Sequence, residues 1–291
     1  MKTILITDIE NPVVEHEGVY LVDKPKGWTS FDVVAKVRNS YRNKLKTEHE
    51  SRGFCTEMQS NEAPTNGANR TKLYDEQVPQ DSEAAMRSEK RGVADSVRQQ
   101  SFRCKCRIRV GHSGTLDPLA TGLLIVLVGK EFTQQQDTFM KQDKVYETTA
   151  VFGEVSDTYD AEGTITSLYG FNPYSDRGLP DVSREEIEEA LEQFRGEISQ
   201  VPPAYSAIKV NGQKAYDLAR AGKDVALTPR KVVIHEFEIT NYDWPEVSFR
   251  ISCSSGTYIR SLVHDLGGVV GVGAYVMALR RQSSGQFVLA H

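Results

Sequence analysis

The sequence VGHSGTLDPLATG, residues 110–122, places one carboxylate, that of Asp117, in a stretch rich in glycine, proline and small hydroxyl residues. An apolar run over residues 123–128 follows directly and predicts a buried strand. Pro118 restricts Asp117 to extended or turn geometry, so the carboxylate is presented on a loop. Loops on a rigid scaffold often carry catalytic residues. Composition by itself favours a plain turn in which Asp117 makes a local cap.

The overall charge argues mildly against a polyanionic partner. The chain has 291 residues, with 35 Lys and Arg against 40 Asp and Glu, and a net charge of -5. A protein that binds nucleic acid is expected to show a basic footprint. One candidate footprint is a run of alternating cations, which would share one face of a strand: Arg103, Lys105, Arg107 and Arg109. The same alternation is also typical of a solvated edge strand.

The cysteines and apolar segments bear on the cellular compartment. Four cysteines are scattered along the chain and form no disulfide framework, which favours a reducing compartment. The apolar patch over residues 4–6 is too short for a signal peptide, and no stretch is long enough to span a bilayer. We therefore expect a cytoplasmic protein without membrane association.

The segment 43–103 differs from the rest of the chain. It is rich in Glu, Ser, Gln, Asn, Lys and Arg and has few aromatic or branched apolar residues. Such a segment buries too little apolar surface to offset the entropy lost on ordering. It is predicted to be a polar insertion, mostly disordered or loosely helical, within a single catalytic domain over residues 1–291.

Hydrophobic periodicity predicts an α+β fold, because long strands alternate with helices and no internal repeat is present. Strands are predicted over residues 18–23, 123–128, 145–152, 205–210, 231–242, 247–253 and 274–281. Helices are predicted over residues 30–42, 131–140, 183–194, 213–221 and 257–269. The helix at 183 begins with the capping box Ser-Arg-Glu-Glu.

Six motifs in order resemble the TruB family of pseudouridine synthases. Besides residues 111–122, they are GVYLVDKPKGWTS (18–30), DKVYE (143–147), SDTYDAEG (156–163), QVPPAYSAIK (200–209) and SGTYIR (255–260). One motif would be a weak signal, but six over nearly the whole chain are specific. The resemblance implies the pseudouridine synthase fold, a mixed, mostly antiparallel sheet with a central cleft flanked by helices and loops.

The insertion and the C-terminus depart from the family pattern. Residues 43–103 match no part of it, and the usual connection there is short. Many relatives carry a small C-terminal RNA-binding domain, for which this sequence leaves no room after residue 291. We expect the domain to be absent.

The resemblance implies an enzyme that isomerises uridine to pseudouridine in RNA, with uridine 55 of the tRNA T-loop as the substrate. The reaction breaks the N-glycosidic bond, turns the base and joins C5 to C1′, so no atom is gained and no cofactor or metal is required. The implied partner is tRNA alone, bound by a monomer without an obligatory protein partner.

The resemblance also assigns three catalytic residues. Asp117 is the nucleophile, at either C1′ of the ribose or C6 of the base. Arg260 is its partner and opposes the rise in carboxylate pKa that burial causes. Tyr146 stacks on the target base and is a candidate for moving a proton. Without the resemblance, Tyr146 suits a core or rim position equally well.

Five further residues are predicted to bind the substrate, namely His112, Tyr258, Leu279, Lys24 and Lys209. By resemblance, His112 engages the RNA where the base is displaced, Tyr258 packs near the nucleophile, and Leu279 lines the uracil pocket. The two lysines are candidates for touching phosphate or for bracing the cleft. Ordinary structural roles remain open for all five.

Three alternatives belong to other classes. A non-catalytic RNA-binding or RNA-folding protein on the same fold is one, and the insertion keeps it open. Zinc bound by Cys104, Cys106 and His112 is another, although C-x-C is an unusual spacing and no fourth ligand is evident. A hydrolase triad of His112, Ser113 and Asp117 is disfavoured, because triads are assembled from separate parts of a chain.

Overall fold

A computed structural model describes residues 3–51, 108–169, 178–206, 208–210, 212–215, 218 and 227–289. Most of the predicted insertion lies outside these residues, as do Cys104, Cys106 and three of the four alternating cations. The fourth, Arg109, is described and precedes a strand instead of lying within one. Residues 1–45 and 107–291 belong to one compact unit.

The described strands, in chain order, are β1 (Thr3–Ile6), β2 (Gly18–Lys24), β3 (Val110–Ser113), β4 (Thr121–Val128), β5 (Lys144–Phe152), β6 (Glu154–Ser156), β7 (Ile165–Ser167), β8 (Gly196–Gln200), β9 (Lys209–Val210), β10 (Gln213–Lys214), β11 (Arg230–Asp243), β12 (Glu246–Cys253), β13 (Ala274–Ser284) and β14 (Phe287–Val288). Ten of them form one sheet in the order β1-β2-β4-β13-β5-β12-β11-β8, with β3 beside β4 and β14 beside β13. Strands β6 and β7 pair separately, as do β9 and β10.

The large sheet is mixed and mostly antiparallel. Only β1 with β2 and β4 with β13 run parallel among its described pairs. The predicted fold class, α+β with a mostly antiparallel sheet, is confirmed.

The described helices are α1 (Ser30–Ser51), α2 (Lys130–Thr133), α3 (Gln136–Met140), α4 (Arg184–Leu191) and α5 (Ile259–Val270). Helix α4 begins at the predicted capping box, in which Ser183 and Glu186 cap each other's backbone N–H groups. A 3₁₀ turn over Glu192–Phe194 ends it. Among the described residues, no helix is long and apolar enough to cross a bilayer.

Strand β4 lies at the centre of the core. Its alternate side chains enter two separate hydrophobic clusters, with Leu124 and Val126 in the larger and Leu123 and Ile125 in the smaller. A strand buried on both faces reads as a continuous apolar run, as this one does. Because β4 begins at Thr121, the loop that carries Asp117 leads directly into a strand that is buried on both faces.

The structure corrects several predicted boundaries at the ends of elements. Helix α1 continues past Arg42 to Ser51, although its last turns are polar. The single helix predicted over residues 131–140 is two short helices, separated at Gln134 and Gln135.

Other corrections concern short strands. Residues 110–113 form β3, which pairs with β4, where a loop was expected. Strand β8, paired with β11, was not predicted, and β6 and β7 form a hairpin where no strand was predicted. Residues 213–214 are extended where a helix was predicted to begin. The secondary structure of these segments depends on pairing with neighbouring strands, which the propensity of one segment alone does not reveal.

Candidate active site

The loop that carries Asp117 is tied to the turn between β2 and α1. The Ser30 hydroxyl accepts a hydrogen bond from the Leu116 N–H at 2.9 Å and donates to the Leu116 carbonyl at 3.1 Å. The Gly27 N–H donates to the Pro118 carbonyl at 2.8 Å. The residues on both sides of Asp117 are therefore anchored, which fixes the direction of the carboxylate.

Lys24 strengthens the same connection. Its side chain is fully buried, and its ammonium donates to the carbonyls of Pro25 at 2.9 Å, Trp28 at 2.6 Å and Pro118 at 3.2 Å. Burial lowers the pKa of Lys24 to about 8. Because its three donors face protein carbonyls, the geometry favours the alternative in which Lys24 braces the cleft. Contact of Lys24 with the substrate stays a prediction.

Arg260 lies in the first turn of α5 and contacts Asp117. Its Nε is 2.9 Å from Oδ2 of Asp117, a charge contact in which the N–H is not aligned for a hydrogen bond. Nη1 donates to the Thr158 carbonyl at 2.9 Å, and Nη2 donates to the Tyr205 carbonyl at 3.0 Å. A helix N-terminus disfavours a cation, so a buried guanidinium here requires an anionic partner. Asp117 provides one, with 39% of its side chain exposed to the cleft.

A second carboxylate, Asp160, lies on the other side of the guanidinium. Its Oδ2 is 3.5 Å from Nη1 of Arg260, and its side chain is almost completely buried. Its Oδ1 accepts from the Thr158 hydroxyl at 2.6 Å and from the Glu162 N–H at 3.0 Å. Asp160 was not predicted as a site residue. The motif SDTYDAEG, which contains Asp160, could have indicated it. That motif contributed to the resemblance, but none of its residues was predicted to act in the site.

The electrostatics of this cluster leave Asp117 harder to ionise than an ordinary aspartate. Enclosure by protein raises its pKa, the Arg260 guanidinium opposes that rise, and Asp160 adds to it. Glu162 responds in the same way, since burial and the two aspartates raise its pKa. The single guanidinium is thus the main influence that keeps the Asp117 carboxylate charged.

Tyr146 lies on β5 and lines a cavity together with Asp117 and Arg260. Burial raises the pKa of Tyr146 and the charge of Arg281 opposes that rise, so the phenol stays protonated at neutral pH. Arg281 is almost fully buried on β13, where Nε donates to the Leu123 carbonyl at 2.7 Å and Nη2 donates to the Gly114 carbonyl at 2.9 Å. Arg281 was not predicted as a site residue either, although it stands two positions after Leu279.

A cavity of about 250 Å³ joins these groups. Its lining includes five of the predicted site residues, namely Asp117, Tyr146, Tyr258, Arg260 and Leu279. A volume near the lower end for ligand sites suits a ligand smaller than a drug-sized molecule. The Tyr258 backbone is held on both sides by the Gln200 amide, at 2.8 and 2.9 Å. Burial raises the pKa of the Tyr258 hydroxyl.

Among the described side chains of the other predicted site residues, those of Lys24 and His112 do not line this cavity. His112 is on β3, where its Nε2 lies 3.1 Å from the Thr115 hydroxyl and its ring packs edge-on against Phe31 at 5.3 Å. Burial lowers the pKa of His112 and favours the neutral ring. The backbone of Lys209 is in β9, while its side chain lies outside the described part of the structure.

The hydrolase alternative does not fit the geometry. The Ser113 hydroxyl donates to the Gln136 carbonyl at 3.4 Å, whereas His112 contacts Thr115 and Asp117 faces Arg260. For the zinc alternative, the two cysteines lie outside the described residues. Within the described ranges, no group of three or more His, Cys, Asp or Glu side chains could hold a metal ion.

Comparison with solved structures identifies the class of fold. A chain from a crystal structure of a Cbf5-Nop10-Gar1 complex matches with a TM-score of 0.51 and 22% identity, over 98% of this chain and 59% of that one. At that identity the likeness shows the fold alone. The fold is that of the pseudouridine synthases, as the resemblance implied.

Sequence comparisons identify the family. The N-terminal domain of the TruB family pseudouridylate synthases matches residues 99–259. "tRNA pseudouridine synthase B" of Endomicrobium trichonymphae is 48% identical over 174 residues, 60% of this chain and 72% of the relative. The protein of the same name from Protochlamydia amoebophila is 45% identical over 181 residues, 62% of this chain and 65% of the relative. The chain belongs to the TruB family, and it is a pseudouridine synthase, an isomerase.

Proposed function

We propose that this chain converts uridine 55 of the tRNA T-loop to pseudouridine, with Asp117 as the nucleophile. The supporting relatives are named as tRNA enzymes. The single observation that carries the proposal is the 2.9 Å contact between Asp117 and Arg260 beside a cavity with a tyrosine in its wall. The enzyme acts as a monomer and needs no obligatory protein partner.

The reaction uses the Asp117 carboxylate in its ionised form. Attack at C1′ or C6 forms a bond from an Asp117 oxygen to that carbon and accompanies cleavage of the bond between N1 and C1′. The base then turns, C5 bonds to C1′, and the bond to Asp117 breaks, which releases the carboxylate. The proton leaves C5 and N1 acquires one, so the overall change is an isomerisation without an external oxidant or reductant. Arg260 holds the carboxylate charged and oriented, which is the principal demand on a buried nucleophile.

The shape of the cavity favours an everted nucleotide. Chemistry on a base requires that the base leave its stack, and aromatic faces are suited to receive it. Tyr146 and Leu279 line the cavity and contact the uracil, and Tyr258 packs beside them. His112 engages the RNA beside the cavity. A T-loop is single-stranded within a hairpin, where proteins readily splay bases outward.

The direct test is to incubate the protein with unmodified tRNA transcripts and to map pseudouridine chemically at single-nucleotide resolution. We expect modification at position 55 and none in a transcript with cytidine at that position. Modification elsewhere in the same tRNA would contradict the assigned uridine. Absence of pseudouridine in every transcript would contradict the activity.

The nucleophile is tested separately with Asp117→Asn. We expect the single-turnover rate to fall by at least about 10⁴-fold, as for other residues that form the covalent bond. The affinity for tRNA should remain within a few-fold, which would be measured by filter binding. Asp181→Asn, which removes an exposed carboxylate, is the control and should retain the full rate. A non-catalytic RNA-binding protein would show no difference between these two variants.

A further inference from the structure

One face of helix α1 carries an exposed aromatic ring followed by two arginines. Phe31, Ala35, Arg38 and Arg42 are spaced by four, three and four residues, so they lie in one row along the helix. Phe31 is 69% exposed, Ala35 and Arg42 are exposed, and Arg38 is half-buried. The opposite side of the helix packs into the core. We call this row the arginine face.

The arginine face is continuous with the active-site loop. Ser30, immediately before Phe31, is hydrogen-bonded to Leu116, immediately before Asp117. The Phe31 ring packs edge-on against His112 at 5.3 Å and 81°. This contact uses one part of the ring and leaves most of it open to solvent. The start of the face is therefore at the catalytic loop.

The beginning of β3 lies beside the arginine face and adds a further cation. Nη2 of Arg38 donates to the Val110 carbonyl at 3.3 Å, which fixes the guanidinium beside the first residue of that strand. Arg109, the residue before it, is exposed. Three guanidiniums thus lie on the part of the surface formed by α1 and the beginning of β3, in a chain whose net charge is -5.

Asp32 is the acidic residue of α1 nearest to the arginine face, and its carboxylate is hydrogen-bonded at the start of the helix. Asp32 accepts hydrogen bonds from the Thr29 N–H at 2.8 Å and from the Thr29 hydroxyl at 2.6 Å. It lies about 100° around the helix from Phe31. Its charge is held at the helix N-terminus, where a carboxylate is favoured. The row itself contains no acidic side chain.

An exposed aromatic ring, a small residue and two arginines suit a single-stranded nucleic acid. Aromatic rings stack on bases of any sequence, and guanidiniums bind phosphate oxygens. We infer that the arginine face binds the RNA strand next to the everted nucleotide, with Phe31 stacked on a base and Arg38 and Arg42 on phosphates. Ala35 leaves room for the backbone to approach. This inference rests on the proposed function, because it takes the substrate RNA as the occupant.

The stacking contact is tested by binding, in the Asp117→Asn background so that no turnover occurs. A fluorescent T-arm hairpin is titrated and its anisotropy is recorded. Phe31→Ala should raise the Kd about tenfold, in the range that loss of one base–aromatic stack causes. Phe31→Trp should restore the affinity. Val288→Ala, which shortens another exposed apolar residue at 59% exposure, is the control and should leave the Kd unchanged.

The phosphate contacts are tested by salt dependence of the same binding. Each of Arg38→Gln and Arg42→Gln should reduce the slope of log K against log salt by about one, because each releases one counterion fewer. Arg184→Gln removes an exposed arginine from α4 and should leave the slope unchanged. Unchanged slopes for both α1 variants, or an unchanged Kd for Phe31→Ala, would overturn the inference.

A rate measurement separates this inference from the proposed function. With saturating tRNA and Asp117 intact, the Phe31 and arginine variants should keep the single-turnover rate within about threefold, while half-saturation moves to higher RNA concentration. A loss of rate at saturation would show that the face acts in the chemical step and would overturn a role in binding alone. Failure of the proposed function is a different result, namely no pseudouridine from the unaltered protein.

Discussion

Two walls of the cavity each contain a buried arginine, and the two arginines have different partners. The acid wall consists of Asp117 and Arg260, together with the buried Asp160 that contacts the guanidinium. The basic wall consists of Lys144, Tyr146 and Arg281. On the acid wall the guanidinium contacts two carboxylates, whereas the described hydrogen bonds of Arg281 go to two backbone carbonyls.

The difference indicates that the two arginines do different work. Arg260 controls the charge of a carboxylate, because it is the main influence that opposes the raised pKa of Asp117. Arg281 controls position, because it joins the Gly114 carbonyl of the active-site loop to the Leu123 carbonyl of β4. Lys144 behaves like Arg281, since it donates to the carbonyls of Met140 and Gln142 and burial lowers its pKa to about 8.

The largest effect is expected for Arg260→Gln, which removes the charge from the acid wall. The rate of pseudouridine formation should fall about 10³-fold, comparable to the loss of a key electrostatic group in other enzymes. The pKa of Asp117 should rise further, so the acid limb of the pH–rate profile moves to higher pH. Arg260→Lys keeps the charge and should show the smaller shift. An acid limb that does not move in Arg260→Gln would contradict control of ionisation by this arginine.

Removing the guanidinium of Arg281 from the basic wall should lower the stability of the protein and leave the pH dependence of its rate unchanged. Arg281→Met leaves the carbonyls of Gly114 and Leu123 without a donor, which should lower the free energy of unfolding by about 3 kcal/mol. Urea unfolding at neutral pH measures this loss. The acid limb of the surviving activity should stay where it is in the unaltered protein. If Arg281→Met moved that limb as far as Arg260→Gln does, the two walls would not differ in function.

A third variant tests the sign of the electrostatics within the acid wall. Asp160 raises the pKa of Asp117, so Asp160→Asn should lower that pKa and move the acid limb to lower pH, opposite to Arg260→Gln. The rate at neutral pH should fall about tenfold, because Arg260 loses one of its two carboxylate partners. A pH–rate profile under single-turnover conditions measures both. Asp157→Asn, an exposed aspartate in the same loop, is the control.

The same two walls show what sequence could and could not predict. The acid wall was largely found, because Asp117 and Arg260 lie in specific motifs and a carboxylate in a cleft demands a cation. Arg281 was missed because its partners are carbonyls, 158 and 167 positions away in the chain, and any residue has a carbonyl. No local pattern identifies such a contact before the fold is known.

The strands of the fold divide in the same way, into those that local sequence determines and those that depend on distant contacts. Strands β4, β5, β11 and β12 were predicted closely, since continuous or alternating apolar residues determine them. Strands β3 and β8 were not predicted, because each is defined by its neighbour in the sheet. Lys24 shows the same limit for a site residue, because its motif singled it out while only the structure shows that its ammonium faces three carbonyls.

The smallest effects are expected for two glycines that form a matched pair. Gly114 lies in the active-site loop beside Arg281, and Gly27 donates to the same loop at Pro118. Gly114 has a φ of +73° and Gly27 a φ of +83°, so alanine is strained at both. A Cβ on Gly27 would meet nothing within 4 Å, whereas one on Gly114 would lie 3.1 Å from Nη1 of Arg281. Gly27→Ala should therefore lower the free energy of unfolding by about 1 kcal/mol, from backbone strain alone.

Gly114→Ala adds displacement of the guanidinium to the same strain, so it should lower the free energy of unfolding by about 2 kcal/mol. It should also slow pseudouridine formation a few-fold, because the loop that carries Asp117 moves with Arg281. In the Arg281→Met background the two alanine variants should become equally destabilising, since the crowding atom is gone. Urea unfolding of the single and double variants measures this. If the difference between Gly114 and Gly27 persisted without the guanidinium, contact with Arg281 would not be its cause.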